Sequence, residues 1–151
     1  GLGDVYKRQF VIEYNVRFGD PECQTLLRNL QTDILKIIDY NLKDRLSDLT
    51  IRNKKQSVVC VVVASKGYPG NYKKNKVISN LSKAQSIKGV EIFHAGTALK
   101  KGKVISSGGR VLAVTAQGNS IVHARKIAYK AVALIDWKEG FFRNDIGKKN
   151  I

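Results

Sequence analysis

"SVVCVVVAS", Ser57–Ser65, is nine residues long, and seven of them are apolar. The run is far too short to span a bilayer, which needs about 20 residues. It is the length of a strand, and apolar side chains at successive positions predict one buried on both faces. A strand covered on both sides needs partners in sequence. "RVLAVTAQG", 110–118, is a second strand of the same kind, entered through Gly108-Gly109. "VEIFHAG", 90–96, and a short strand starting at Val77-Ile78 add to the sheet. "KKGK", 100–103, predicts a hairpin turn. After the 110–118 strand, Asn119 or Ser120 can cap a helix. That helix would bury Ile121, Ala124, Ile127, Ala128, Ala131 and Leu134 or Ile135. The second half of the chain is therefore an α+β unit of mainly antiparallel strands with one packed helix.

Upstream the pattern changes. Residues 43–56, "KDRLSDLTIRNKKQ", are polar and charged, and a connection with a domain boundary is expected there. Phe10, Ile12, Tyr14 and Val16 alternate with Val11, Glu13, Asn15 and Arg17, the period of a strand over 10–16. Asp20-Pro21 predicts a helix start, with the acid as N-cap and Pro in the first helical position. Leu26, Leu27, Leu30, Ile34, Ile37, Ile38 and Leu42 recur at helical spacing, which predicts one helix over 21–42. Residues 1–9, "GLGDVYKRQ", lack the apolar core of a signal peptide and resemble a translated sequencing-adapter scar.

The chain has 151 residues and a formal charge of +15, from 27 Lys and Arg against 12 Asp and Glu. Such a surface attracts polyanions. Its lysines are spread along the sequence, which favours a solvated basic surface over a nucleic-acid site. An aromatic RNA-binding strand, a Cys/His finger and a clear recognition helix are all missing from the sequence, so no specific nucleic-acid partner is expected. No apolar run predicts a membrane partner. The spacing of Cys23 and Cys60 fits neither a metal pair nor a disulfide framework; two free thiols in a reducing, cytoplasmic setting are expected.

The chemistry is concentrated in "EYNVRFGDPE", Glu13–Glu22. Glu13, Asn15 and Arg17 share one face of the predicted strand, with neighbours about 7 Å apart. A carboxylate and an amide oxygen are hard donors that suit Mg²⁺ completed by phosphate oxygens. A guanidinium further along the face can hold a phosphoryl oxygen. The plainer alternative is a polar strand face turned to water. Asp20 is likewise either a simple cap or a cap whose free oxygen accepts a hydrogen bond from an amine. "SGGR" offers backbone N–H groups to an anion at Gly108 and Gly109 and a guanidinium at Arg110, or else is a turn before a strand. His94 has no carboxylate partner in sequence and stands as a rim residue. Tyr68-Pro69-Gly70 reads as a structural turn.

"VIEYNVRFGDPECQTLL", "VVVASKGYPGNY", "IFHAGTAL", "SSGGRVLAVTA" and "RNDIG" occur in the order found in phosphoribosylamine–glycine ligases, also called glycinamide ribonucleotide synthetases. The resemblance runs from residue 10 to about 147. It implies the last strand and helix of an ATP-grasp domain (10–54) followed by the small C-terminal domain (55–151). It also implies an ATP-dependent ligase of purine synthesis that joins phosphoribosylamine to glycine through a glycyl phosphate. On that basis Glu13 and Asn15 match a Mg²⁺- or Mn²⁺-binding pair. Arg17 matches a residue that stabilises the transferring phosphoryl group. Asp20 is then expected to orient the attacking amine, and Gly108, Gly109 and Arg110 to hold the sugar phosphate. Glu22 has no settled role. The phosphate-covering loop, adenine pocket and N-terminal domain of such an enzyme are expected upstream. A C-terminal piece is therefore expected to be inactive by itself and, with a sheet edge exposed, prone to aggregate. The parent enzyme is expected to be a monomer. A basic nucleic-acid module, or an ATP-grasp ligase for another amine, are the alternatives.

Overall fold

Two long strands are paired along their whole length at the centre of the molecule. The computed structural model of the chain describes Tyr14 and residues 16–148. β1 is Ser57–Ser65 and β5 is Arg110–Gly118. They run antiparallel, from Ser57 opposite Gly118 to Val63 opposite Leu112. Their backbone groups have no route to water, so pairing is obligatory. β2, Val90–His94, adds to the outer side of β5. β6, Gly140–Phe141, adds to β1, giving the order β2-β5-β1-β6. A separate hairpin joins β3, Thr97–Lys100, to β4, Lys103–Ser106. Its turn residues, Lys101 and Gly102, both have positive φ, 49° and 71°. This is the backbone that two-residue hairpin loops require.

One sheet face is closed by α4, Ile121–Leu134. Ser120 caps it, its Oγ accepting from the His123 N–H. Ala124, Ala128, Ala131 and Val132 pack on Val59, Val61 and Val63 of β1 and on Leu112, Val114 and Ala116 of β5. Gly118 lets the start of α4 sit close to the strand, because a Cβ there would meet the backbone of Ala124. The "RNDIG" tail is tied to the outside of α4. Tyr129 donates to the Arg143 carbonyl, and Arg125 donates to the carbonyls of Asn144 and Ile146.

The opposite face carries α1, Glu22–Asn29. Arg28 fastens it there. One guanidinium nitrogen donates to Gly89 O (2.7 Å) and Gln117 Oε1 (3.2 Å), and another lies 3.4 Å from Glu91. Gln117 donates back to the Arg28 carbonyl. Burial lowers the pKa of this arginine, and Glu91 partly offsets the effect.

Several local expectations need correction. The helix expected over 21–42 is two helices, α1 and α2, Ile34–Leu42. The break falls at residues 30–33, where Leu30 bridges Asn53 and Asp33 caps α2 through the Leu35 N–H. Asp20 does not cap α1. Pro21 holds the N-cap position without a side-chain bond, and Glu22 bonds the Gly19 N–H instead. Val77 makes only an isolated bridge to Ile105, and a short helix, α3, Leu81–Gln85, follows it. β2 ends at His94, earlier than expected. The strand expected over 10–16 lies outside the described residues except at Tyr14 and Val16, which are exposed and not in a strand. Residues 1–9 also lie outside them.

Arg28→Ala removes the clamp between α1 and the sheet, taking the only side-chain donor among the described residues from Gln117 Oε1 and one of two donors from Gly89 O and from Glu91. The expected loss is about 1–3 kcal/mol, read as a lower urea midpoint at unchanged slope.

Candidate functional site

The two long strands do not keep one register to the end. Val63 faces Leu112, but Ala64 faces Arg110, so Val111 is an extra residue on β5. Strict alternation would place Arg110 on the same face as Leu112, towards α4. The bulge changes this: Val111 joins Leu112 in the core, and Arg110 pairs with Ala64. Bulges often re-aim a side chain in this way. Arg110 emerges on the face that carries α1, and its guanidinium lies 3.4 Å from the Asp20 carboxylate. Both side chains are about half-exposed, 47% and 43%. Two of the residues singled out from sequence, 90 positions apart, therefore meet.

The turn before Arg110 is held by residues that sequence reasoning did not select. The Ser65 hydroxyl donates to Gly108 O at 2.8 Å, and the Ser65 N–H donates to Gly109 O at 2.7 Å. The Gly96 N–H donates to Arg110 O, and Gly96 O accepts from Ser107 and Gly108. The Gly108 N–H is thus committed within the protein in this conformation. The glycines also answer to packing. A Cβ on Gly108 would press on the Gly96 Cα at 3.0 Å, and one on Gly109 would overlap the Tyr68 ring. Tyr68 is therefore more than a turn residue. "HAGT" contributes through Gly96, while His94 Nδ1 is 3.0 Å from Thr97 Oγ1.

Arg17 stands apart from this pair. It donates to the Phe18 carbonyl at 3.0 Å and lines an open cleft with Val16, Phe18, Glu22 and Leu26. Glu13 and Asn15 lie outside the described residues. Among the described residues no group of three His, Cys, Asp or Glu side chains could hold a metal ion. The donor set of Glu13 and Asn15, carboxylate and amide oxygens, suits Mg²⁺ or Mn²⁺ in kind.

Cys60 lies in the middle of β1, buried, on the same face as Ala64. Burial, with a smaller contribution from the nearby Asp20 carboxylate, raises its pKa from 9.0 to about 12. Cys23 is half-buried, and both thiols are free.

The family model "Phosphoribosylglycinamide synthetase, C domain" matches residues 58–149. Phosphoribosylamine–glycine ligase of Brucella melitensis is 50% identical over 137 residues, which are 91% of this chain and 32% of that protein. The chloroplastic ligase of Arabidopsis thaliana is 50% identical over 139 residues, 91% of this chain and 26% of its own length. The crystal structure of the Thermotoga maritima ligase superposes with a TM-score of 0.70 at 28% identity, over 91% of this chain and 33% of that one. A mainly antiparallel sheet with a helix packed on one face makes this an α+β domain. The chain belongs to the phosphoribosylglycinamide synthetase C-domain family, and it spans about a third of the length of the Brucella relative.

The Cys60 shift gives a test with a definite sign. A raised pKa in the folded state stabilises the fold below the unfolded thiol value near 9, and that contribution is lost as pH rises towards 12. Cys60→Ala should flatten the fall in stability between these pH values. Asp20→Asn should move the native Cys60 titration downward. Urea melts across the range, and thiol absorbance at 240 nm, read both.

Proposed function

We propose that this chain is part of an ATP-dependent ligase that joins phosphoribosylamine to glycine. In that reading residues 10–54 end an ATP-grasp domain, and residues 55–151 form the C-terminal domain. The observation that carries it is the match over 58–149 to the synthetase C domain, on a chain where Asp20 and Arg110 stand side by side. The γ-phosphoryl group of ATP passes to a glycine carboxylate oxygen, and ADP leaves. The amine nitrogen of phosphoribosylamine then attacks the acyl carbon, the carbon–oxygen bond to phosphate breaks, the nitrogen's proton leaves with the phosphate as hydrogen phosphate, and glycinamide ribonucleotide forms.

Each step has residues suited to it. Glu13 and Asn15 would hold Mg²⁺ or Mn²⁺, which supplies positive charge beside the nucleotide phosphates. Arg17 carries a permanent positive charge that favours the phosphoryl group as negative charge spreads over its oxygens. Arg110 offers a planar fork that fits the dianionic sugar phosphate, and it follows directly on the Gly108-Gly109 turn. Asp20 accepts a hydrogen bond from the amine and orients its lone pair towards the acyl carbon.

Asp20 and Arg110 cannot serve substrate while bonded only to each other. Their pairing is half-exposed, so separating them costs about 0–1 kcal/mol. A phosphate carries more charge than a carboxylate and takes over the guanidinium. Asp20 is then released to the amine at the other end of the sugar. A soluble, cytoplasmic, monomeric parent with no specific nucleic-acid partner fits this role; no helix among the described residues is long and apolar enough to cross a membrane.

The test compares the 151-residue chain with the same sequence extended to the length of its relatives. Given ATP, Mg²⁺, glycine and phosphoribosylamine, the short chain should form no glycinamide ribonucleotide above background. The extended enzyme should turn over. Arg17→Ala should lower its kcat, and Arg110→Ala its kcat/KM for phosphoribosylamine, each by roughly 100-fold. Turnover by the short chain, or by the extended enzyme only with another amino acid, contradicts the proposal.

A further inference from the structure

We propose that Ser65 is a positioning residue: it sets the Gly108–Arg110 turn so that the Arg110 guanidinium faces the sugar-phosphate position. The inference rests on the proposal that this turn receives the phosphate of phosphoribosylamine.

Ser65 is 1% exposed, one of three polar residues fully buried among the described residues. It commits every polar group it has to one small region. Its hydroxyl donates to Gly108 O, and its N–H donates to Gly109 O. Its carbonyl accepts from the Tyr68 N–H at 3.0 Å, and the Tyr68 ring covers Gly109 on the side where a Cβ would project. Gly96 takes the next carbonyl, that of Arg110. Three successive carbonyls are therefore drawn into the protein, two of them by Ser65.

The geometry of the peptide unit turns this into a functional statement. In a planar trans peptide, C=O and the following N–H point to opposite sides. With Gly108 O held against Ser65, the Gly109 N–H faces away from it. A glycine pair would otherwise be the most mobile stretch in the molecule, since Gly samples more backbone conformations than any other residue. Arg110 follows immediately, at the bulge, and inherits whatever freedom the turn has. Two hydrogen bonds from a rigid central strand remove that freedom before substrate arrives, which lowers the ordering cost of binding.

A buried serine bond also supports the fold, so the test must separate position from stability. The probe is ribose 5-phosphate, which keeps the sugar phosphate and lacks the amine, titrated by calorimetry into the 151-residue chain. Arg110→Ala should abolish measurable binding. Ser65→Ala should weaken it roughly tenfold, the equivalent of one positioning hydrogen bond. Ser65→Cys, close in size but a poor donor, should weaken it similarly. Thr115→Val is the control. It deletes another fully buried hydroxyl, which donates to Glu91 O at 3.0 Å on the same strand as Arg110. That variant should lose comparable stability in urea yet bind as the parent does. The Arg110 Nε–H resonance should shift in Ser65→Ala without ligand and stay in place in Thr115→Val. If Ser65→Ala binds like the parent while Arg110→Ala does not, the positioning role is wrong and the sugar-phosphate reading stands. If Thr115→Val weakens binding equally, Ser65 is only structural. If the parent binds nothing at millimolar probe, or Arg110→Ala binds as well as the parent, the sugar-phosphate reading falls and this inference falls with it.

Discussion

The pairing of β1 with β5 places everything else. Each strand is nine residues long and largely buried, so each residue must find its ladder partner or leave a polar group stranded. A slip of one residue would turn the valines that pack on α4 to the other face. Register is therefore strongly specified over most of the length. It is relaxed at one point, Val111, and that relaxation brings Arg110 to the face that bears α1. A strand perfectly regular to its first residue would have pointed this cation into an apolar core, at a cost of several kcal/mol for an unpaired charge.

The second constraint is the attachment of α1. Little apolar area on this helix is buried, and none of its residues is fully covered. Its place is set instead by Arg28, whose side chain is only 16% exposed and reaches β2, β5 and the Gly89 turn. Asp20 lies just before this helix, so the Arg28 clamp at its other end holds the segment that carries Asp20 against the sheet. The site is built where two segments far apart in sequence are tied by polar contacts, which makes it sensitive to substitutions that touch neither Asp20 nor Arg110.

What the sequence made legible was local. β1, β5, the Lys101-Gly102 hairpin and the Ser120 cap of α4 follow from run length, turn chemistry and helical spacing, and each is where those signals place it. The failures come from features decided elsewhere in the chain. Leu30, Ile34 and Ile37 stay in phase across the break between α1 and α2, so periodicity reads through it. The bridge from Leu30 to Asn53 is a tertiary event, and the cap at Asp33 is a single weak cue. The bulge at Val111 sits in Val-Leu-Ala-Val, where uniform apolarity hides any change of face. In sequence, Gly108 and Gly109 show only what they can offer an anion. Their packing against Gly96 and Tyr68 required contacts 12 and 41 residues away (108 − 96; 109 − 68). Pattern alone leaves the roles of Arg17, Asp20 and Arg110 open, and those proposed for them rest on the family resemblance.

The central claim is that Arg110, held at the rim of the sheet opposite Asp20, receives the phosphate of the sugar substrate. A crystal structure of this chain with ribose 5-phosphate tests it most directly. The account predicts phosphate oxygens within hydrogen-bonding distance of the Arg110 guanidinium, the Asp20–Arg110 contact opened, and C1 of the sugar directed towards Asp20. A sugar phosphate bound elsewhere, with Asp20 and Arg110 still joined, would contradict it.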